Sequence, residues 1–210
     1  MAQLLYIEAS PRKTRSASIE VAHAFLEAYR RAHPADRITT LDLWQLALPE
    51  FDGDALEAKY AGIAGSERTP AQAAAWARIT ELARPLREAD KLVFSLPMWN
   101  FGIPYKLKHY IDVVSQKDLL FTFDERGLNG LLGGKKALAI YARGVDFAPG
   151  SATPAAGWDL QAGYMDLWFR FTGITDVTSL RVEKTLYGPD ADRAARDAAC
   201  AEATALASDF

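Results

Sequence analysis

The sequence predicts an α/β fold, a doubly wound five-stranded parallel sheet with helices on both faces. Short apolar runs of strand length alternate with longer segments whose apolar residues recur at helical spacing, the pattern of parallel strands joined by crossover helices. One of these runs, Lys91-Leu-Val-Phe-Ser-Leu96, reads as a buried parallel strand and leads directly into Pro97-Met-Trp-Asn-Phe-Gly-Ile-Pro104. Two prolines and a glycine forbid regular structure in that loop and hold its backbone rigid. Aromatic rings and an amide therefore sit at the carboxyl end of a strand, where open α/β sheets bind their ligands.

Taken in order, Gln3–Ala9 is the first strand, and the segment after it carries Ala22, Phe25, Leu26 and Tyr29 on one helical face. Ile38–Leu43 is the second strand. Pro70–Ala89 reads as a helix with Trp76, Ile79 and Leu82 on one side, and Pro85 is expected to kink or shorten it. Leu92–Leu96 is the third strand, followed after the aromatic loop by Leu107, Tyr110, Ile111 and Val114 at helical spacing. Lys135–Tyr141 is the fourth strand, Leu160–Phe171 a helix and Asp176–Val182 the fifth strand. An alanine-rich helix from about Asp190 closes the chain. Asp52–Thr69 and Lys117–Gly134 are insertions relative to a minimal unit, and Phe121-Thr-Phe123 alternates as a small β-ribbon would. Five strands interleaved with helices fit a flavodoxin-like sheet. A single domain over residues 1–210, without repeats or linkers, is expected.

Composition excludes several classes of function. Half of the residues are hydrophobic and 24% are charged, a globular balance. A net charge of only -3 argues against a nucleic-acid groove or a polybasic membrane surface. One cysteine, Cys200, cannot form an internal disulfide or a multi-thiolate metal site. Three scattered histidines, His23, His33 and His109, lack clustered carboxylates at ligand spacing, so no metal is expected. His109 lies off the Leu107/Ile111 stripe and reads as a surface or hydrogen-bonded residue. No apolar run approaches a membrane span, and the chain opens on a strand without signal-peptide regions. A soluble cytoplasmic protein is the expectation.

The first strand runs into Ala9-Ser-Pro-Arg-Lys-Thr-Arg-Ser-Ala-Ser18. Hydroxyls at Ser10, Thr14, Ser16 and Ser18 and cations at Arg12, Lys13 and Arg15 crowd a helix N-terminus, which already offers N–H donors and a positive dipole end. The pattern suits an anion; equally, Ser16 or Ser18 could serve as an ordinary N-cap in a solvated loop. No Gly-x-Gly-x-x-Gly follows the first strand and no Walker-type loop occurs, so dinucleotide and triphosphate sites of those kinds are not expected. No cysteine lies in the first loop, which removes a cysteine-dependent phosphatase. A single phosphate and an aromatic ring clamp fit a mononucleotide, FMN best of all.

Together these segments resemble the FMN-dependent NADH:quinone oxidoreductase/azoreductase family of flavodoxin-like dimeric enzymes, over nearly the whole chain. The resemblance rests on Ser10 with Arg15-Ser-Ala-Ser18, on Pro97–Pro104 and on Leu107-Lys-His-Tyr-Ile-Asp112. It continues in Gly134-Lys-Lys136 leading to Ala142-Arg-Gly144, and in Gly173-Ile-Thr-Asp-Val177. The Pro-Met-aromatic-Asn-Phe loop is its most specific part. It implies noncovalent FMN with phosphate contacts at Ser10, Ser16, Ala17 and Ser18, and ring contacts at Met98, Trp99, Asn100 and Phe101. It further implies a third wall at Ala142, Arg143, Gly144 and Val145. This chain departs from the family's frequent Ser-Arg-Gly-Gly in the third loop, losing a hydroxyl and a glycine. Trp99 stands where tyrosine is common.

The resemblance also implies that Phe123 and Trp168 line a substrate pocket over the flavin. By residue type alone, Trp158, Tyr164, Trp168, Phe169 and Phe171 serve equally as core. The activity implied is a two-electron, ping-pong reductase. NAD(P)H gives a hydride to flavin N5 and a quinone or azo acceptor takes it from the same face, with no catalytic side chain required. Two other readings carry the same flavin: a one-electron flavodoxin-type carrier, for which a net charge of -3 is modest, and a binding module without turnover.

Overall fold

The apolar runs pair into one parallel sheet whose carboxyl edge gathers the loops singled out above. A computed structural model describes residues 1–125 and 127–210. In chain order the elements are β1 (Gln3–Glu8), α1 (Ala17–Ala32), β2 (Arg37–Asp42), α2 (Gly53–Ala64), α3 (Pro70–Glu88), β3 (Lys91–Pro97) and α4 (Tyr105–Val114). There follow β4 (Phe121–Asp124), β5 (Gly127–Gly130), β6 (Lys136–Ala142), α5 (Ala155–Trp158), α6 (Leu160–Thr172), β7 (Asp176–Val182) and α7 (Pro189–Leu206). The main sheet has the order β2-β1-β3-β6-β7, all neighbours parallel. Connections reverse direction beside β1, which opens the ligand crevice of a doubly wound sheet between β1 and β3.

Strand alternation divides the core into two layers. Leu5, Ile7, Leu92, Phe94, Ala139 and Tyr141 pack on one face beneath α3, α4 and α6. Leu4, Tyr6, Val93, Leu138 and Ile140 pack on the other beneath α1 and α7. The helical face expected from Ala22, Phe25, Leu26 and Tyr29 is buried in that second layer.

Three local differences from the sequence reading have physical reasons. Pro85 does not stop its helix: α3 runs on to Glu88, at the cost of the one N–H that residue 85 would have donated within the helix. At its other end α3 begins with a capping box, Gln72 N–H to Thr69 Oγ1 at 3.3 Å and Thr69 N–H to Gln72 Oε1 at 3.0 Å. The insertion at 52–69 contains α2, which buries only Ala55 and Ala58 and so leaves almost no apolar stripe to read. The edge strand β2 starts at Arg37 and ends at Asp42, one residue ahead of the apolar run, since its exposed outer side tolerates charge.

The expected β-ribbon forms from β4 and β5, antiparallel with Phe123 opposite Leu128. Its anchorage is backbone against backbone. A Cβ on Gly130 would lie 2.1 Å from the Gly173 nitrogen, and Gly173, at φ +92°, ends α6 in the left-handed region. Leu132 N–H donates to the Thr172 carbonyl at 2.8 Å beside this crossing.

Candidate active site

The first wall is the loop from β1 to α1. Ala9 N–H still follows the sheet, bonding the Ser95 carbonyl at 3.0 Å, and then Ser10 turns away with its hydroxyl buried. A short 3-10 turn at Lys13–Arg15 delivers the chain to Ser16, which occupies the N-cap position of α1. Its side chain makes no capping bond; its Oγ instead lies 3.2 Å from Ser18 Oγ. The helix therefore begins with Ala17, Ser18 and Ile19 N–H groups that no side chain caps, beside three buried hydroxyls. That arrangement is an anion cradle at the positive end of a helix dipole. Of the cations in this loop, Arg12 and Arg15 are exposed, while Lys13 is engaged with Glu8 and Asp42.

The second wall is the loop after β3. Met98 N–H donates to the Ala142 carbonyl at 2.7 Å, which joins this loop to the third. Trp99 and Gly102 exchange backbone hydrogen bonds, each 3.0 Å, around a two-residue turn. Its central residues, Asn100 at φ +47° and Phe101 at φ +68°, are both left-handed. For residues with a Cβ that conformation costs about 1–2 kcal/mol each, strain of the kind concentrated at functional sites. Trp99 packs against Trp44 at 5.9 Å and Tyr105 at 6.0 Å, and Phe101 lies 5.1 Å from Trp158.

The third wall follows β6. Ala142 is buried and Gly144 and Val145 are partly exposed, but Arg143 turns inward with 1% of its surface exposed. Its guanidinium meets Asp159 Oδ2 at 2.5 Å, Glu183 Oε1 at 3.0 Å and Gln161 Oε1 at 3.2 Å, between the rings of Tyr141 and Phe147. Gln161 donates in turn to the Leu96 carbonyl at 3.2 Å. Its main chain is engaged as well, the N–H on the Val182 carbonyl at 2.8 Å and the carbonyl accepting Thr185 N–H at 3.2 Å and Oγ1 at 3.0 Å, so Arg143 fixes this wall in place. Among the described residues, the N–H groups of Asn100 and Gly144 meet no backbone acceptor.

The three walls share one edge, since Pro97 and Ala142 are register partners on β3 and β6, and β3 pairs with β1. Beside them lies a cleft of about 630 Å³ lined by Trp99, Asn100, Tyr105, Lys108, His109 and Tyr164. Burial, with Asp112 nearby, pushes the Tyr164 phenol up to about 12, so it stays protonated and able to donate. His109 Nε2 is 2.8 Å from the Pro49 carbonyl, the hydrogen-bonded histidine expected. A second cleft of about 670 Å³ shares Asp112 and Tyr164 with the first and includes Trp168 in its wall. Trp168 is only 4% exposed; it packs on Phe94 and Phe169 and donates from Nε1 to Ser115 Oγ at 2.9 Å. Phe123 stands half exposed on the ribbon, in a different environment.

Trp44 and Tyr105 were not singled out from the sequence, and Tyr164, read there as a core aromatic, lines both clefts. Trp44 lies two residues past β2, at the carboxyl edge of the sheet, and that position is the signal that identifies it. Among the described residues no three His, Cys, Asp or Glu side chains are grouped to hold a metal, and no helix is long and apolar enough to cross a membrane.

Fold and site together define a flavodoxin-like protein, and the flavodoxin-like fold family matches residues 2–206. An FMN-dependent NADH:quinone oxidoreductase of Burkholderia lata is 60% identical over 189 residues, 90% of each chain. A Pseudomonas fluorescens protein of the same description is 54% identical over 208 residues, 99% of this chain and 96% of that one. The crystal structure of an azoreductase from Bacillus anthracis superimposes with a TM-score of 0.90 at 31% identity, covering 100% of both chains. The chain belongs to the FMN-dependent NADH:quinone oxidoreductase family.

Proposed function

We propose that this chain binds FMN noncovalently and reduces quinones, azo compounds or both at the expense of NADH or NADPH. The observation that carries the reading is the uncapped N-terminus of α1 with Ser10, Ser16 and Ser18 buried around it, one strand away from the strained Trp99–Gly102 turn. Those residues fit the cofactor: a cradle of hydroxyl and N–H donors for one phosphate, and flat apolar walls for a tricyclic ring. An FMN-dependent NADH-azoreductase from Bacillus anthracis, solved in complex with FMN, superimposes with a TM-score of 0.85 at 29% identity, covering 99% of this chain and 100% of that one.

In this reading Ser10, Ser16, Ala17 and Ser18 hold the phosphate. Met98, Trp99, Asn100 and Phe101 hold one side of the ring, and Ala142, Arg143, Gly144 and Val145 form a third wall. When bound there, FMN would supply two-electron hydride chemistry between nicotinamide and acceptor, in a ping-pong cycle. The Asn100 and Gly144 N–H groups, which no backbone acceptor takes up, would donate to negative charge on the ring, and the adjoining clefts would orient a planar acceptor. Phe123 and Trp168 form the apolar side of that acceptor site.

The working unit is one flavin-binding domain over residues 1–210, assembled as a homodimer in the cytoplasm, where Cys200 stays reduced. Exposed Leu128 and Leu167 around the second cleft, with exposed Leu160 at the first, support a two-fold partner. The test is NADH and NADPH oxidation by the purified flavoprotein, with and without a quinone, alongside light scattering. Quinone-stimulated turnover by a dimer is expected. Flavin without stimulated turnover would point instead to a carrier or a binding module, and a fully active monomer would remove the dimer.

A further inference from the structure

Glu8 and Asp42 end β1 and β2 and are register partners, so two carboxylates stand side by side at the edge of the sheet that carries the anion cradle. Glu8 is almost completely buried, and its side chain keeps 10% of its surface. Unbalanced, the pair would repel any phosphate held at the start of α1. The cation that meets them comes from the cradle loop itself. Lys13, in the left-handed region at φ +48°, places Nζ 2.5 Å from Glu8 Oε1 and 2.7 Å from Asp42 Oδ2. Burial lowers the Lys13 ammonium, but the bonds to Asp42 and Glu8 outweigh it, and the net shift is upward.

The cluster is fastened to the loop at a second point. Asp42 Oδ1 accepts the Trp44 N–H at 3.0 Å, and Trp44 Nε1 donates to the Ala9 carbonyl at 3.0 Å. Other groups facing it are the Tyr6 phenol on β1, which feels both carboxylates, and His23 on α1, edge-on to Tyr6. Arg12 and Arg15 flank Lys13 in the chain with exposed side chains. A lysine in such a loop reads from sequence as a phosphate ligand; here both its near partners are carboxylates of the protein.

We propose that Lys13 is a positioning residue for the phosphate site, not a phosphate ligand: it offsets Glu8 and Asp42 and pins the loop so that the cradle can accept a dianion. This rests on the FMN reading above. With Lys13 the cluster carries one net negative charge, and Lys13→Met leaves two. The double variant Lys13→Met/Glu8→Gln restores one, and Glu8→Gln alone leaves none.

The experiment titrates apo wild type and these three variants with FMN and with riboflavin, which has the ring but no phosphate, and records thermal melts on the same preparations. Lys13→Met is expected to weaken FMN about tenfold, the effect of one uncompensated charge near the ligand, and riboflavin far less. The double variant should regain most of the lost FMN affinity, and Glu8→Gln alone should bind FMN as tightly as wild type or more so. A direct phosphate ligand predicts no recovery in the double variant, and that result overturns the proposal. Equal losses for FMN and riboflavin, with a lowered melting temperature, also overturn it by making the cluster merely structural. Should Lys13→Met fail to fold, Glu8→Gln still decides, since weaker FMN binding there contradicts a counter-charge role. A wild type that takes up neither flavin removes the cofactor reading itself, and Lys13's role with it.

Discussion

Arg143, one residue past β6, lies 2.5 Å from Asp159, the residue that caps α6, and neither side chain reaches solvent appreciably. The same Asp159 accepts the Ala162 N–H through Oδ1 at 2.9 Å, so one carboxylate fixes both a helix start and the third wall of the site. Replacing Arg143 by Met strands Asp159 and Glu183 in a low-dielectric setting, which costs about 3–5 kcal/mol. The melting temperature should fall by about 10 °C. Asp159→Asn keeps an acceptor for the cap and leaves Arg143 paired with Glu183, so its loss should be clearly smaller. Equal losses in thermal melts would mean that the ion pair, not the shared cap, sets the whole effect.

The phosphate cradle gives a second prediction. Ser16→Ala with Ser18→Ala removes hydrogen bonds to a charged group worth roughly 1.5–3 kcal/mol each. FMN affinity should drop at least about tenfold, read by fluorescence titration of the apo protein. A double variant that holds flavin as tightly as wild type would show that the phosphate binds elsewhere.

Strain in the Trp99–Gly102 turn makes the third. Asn100→Gly relaxes a left-handed position and should leave the melting temperature unchanged or slightly higher, while loosening FMN by freeing the loop. Asn100→Val places a β-branched side chain at the same φ and should cost about 1–3 kcal/mol. Similar melting temperatures for the two variants would remove backbone strain as a property of this turn.

Much of this was legible in the sequence because it is written locally. The central strands are continuous apolar runs, and the Pro97–Pro104 loop is defined by its prolines and glycine. Asp176–Val182 was read with both ends as observed. The role of Arg143 was not legible, because its partners Asp159, Gln161 and Glu183 lie 16, 18 and 40 residues away with no periodicity linking them. Nor was the left-handed turn, since Asn100 and Phe101 hold the conformation that a glycine would normally advertise. Lys13 was read as part of a cationic loop, and only the fold reveals that β1 and β2 end in the carboxylates that engage it.

The two proposed acceptor residues should behave differently. Phe123→Ala, half exposed on the ribbon, should leave melting temperature and flavin content near wild type and change quinone kcat/KM about tenfold, with bulky and small acceptors affected unequally. Trp168→Ala empties a core position and should cost about 3–5 kcal/mol of stability whatever else it does. Kinetics with two acceptors, beside melts of the same samples, check both. Uniform damage to every acceptor in Phe123→Ala would retire that residue from the pocket.

A pH prediction comes from the seam between α1 and α7. Glu20 reaches Arg193 and Arg196, each at 2.7 Å. Burial raises the Glu20 carboxyl, and the bonds to Arg196 and Arg193 override it, so the net is below its ordinary 4.5. A carboxyl lowered in the folded state adds stability that is fully present above the unfolded value and lost as pH falls through the lowered one. Glu20→Gln should therefore be less stable than wild type by about 1 kcal/mol at pH 7, a modest figure because the pair is partly solvated. The two should converge in acid, below 4.5. A gap in denaturant midpoints that stays constant down to strong acid would mean that the ion pair contributes nothing.

The crossing of Gly130 over Gly173 separates what anchors the ribbon from what the ribbon displays. The close approach there is main chain on main chain, and Phe121 adds a ring contact to Phe171 at 4.6 Å, while the exposed Phe123, Leu128 and Asn129 take no part in the crossing. The crossing places no demand on their identities, while it does on the two glycines. On the acceptor role proposed for the ribbon, acceptor range can change through a handful of its side chains without rebuilding the main sheet.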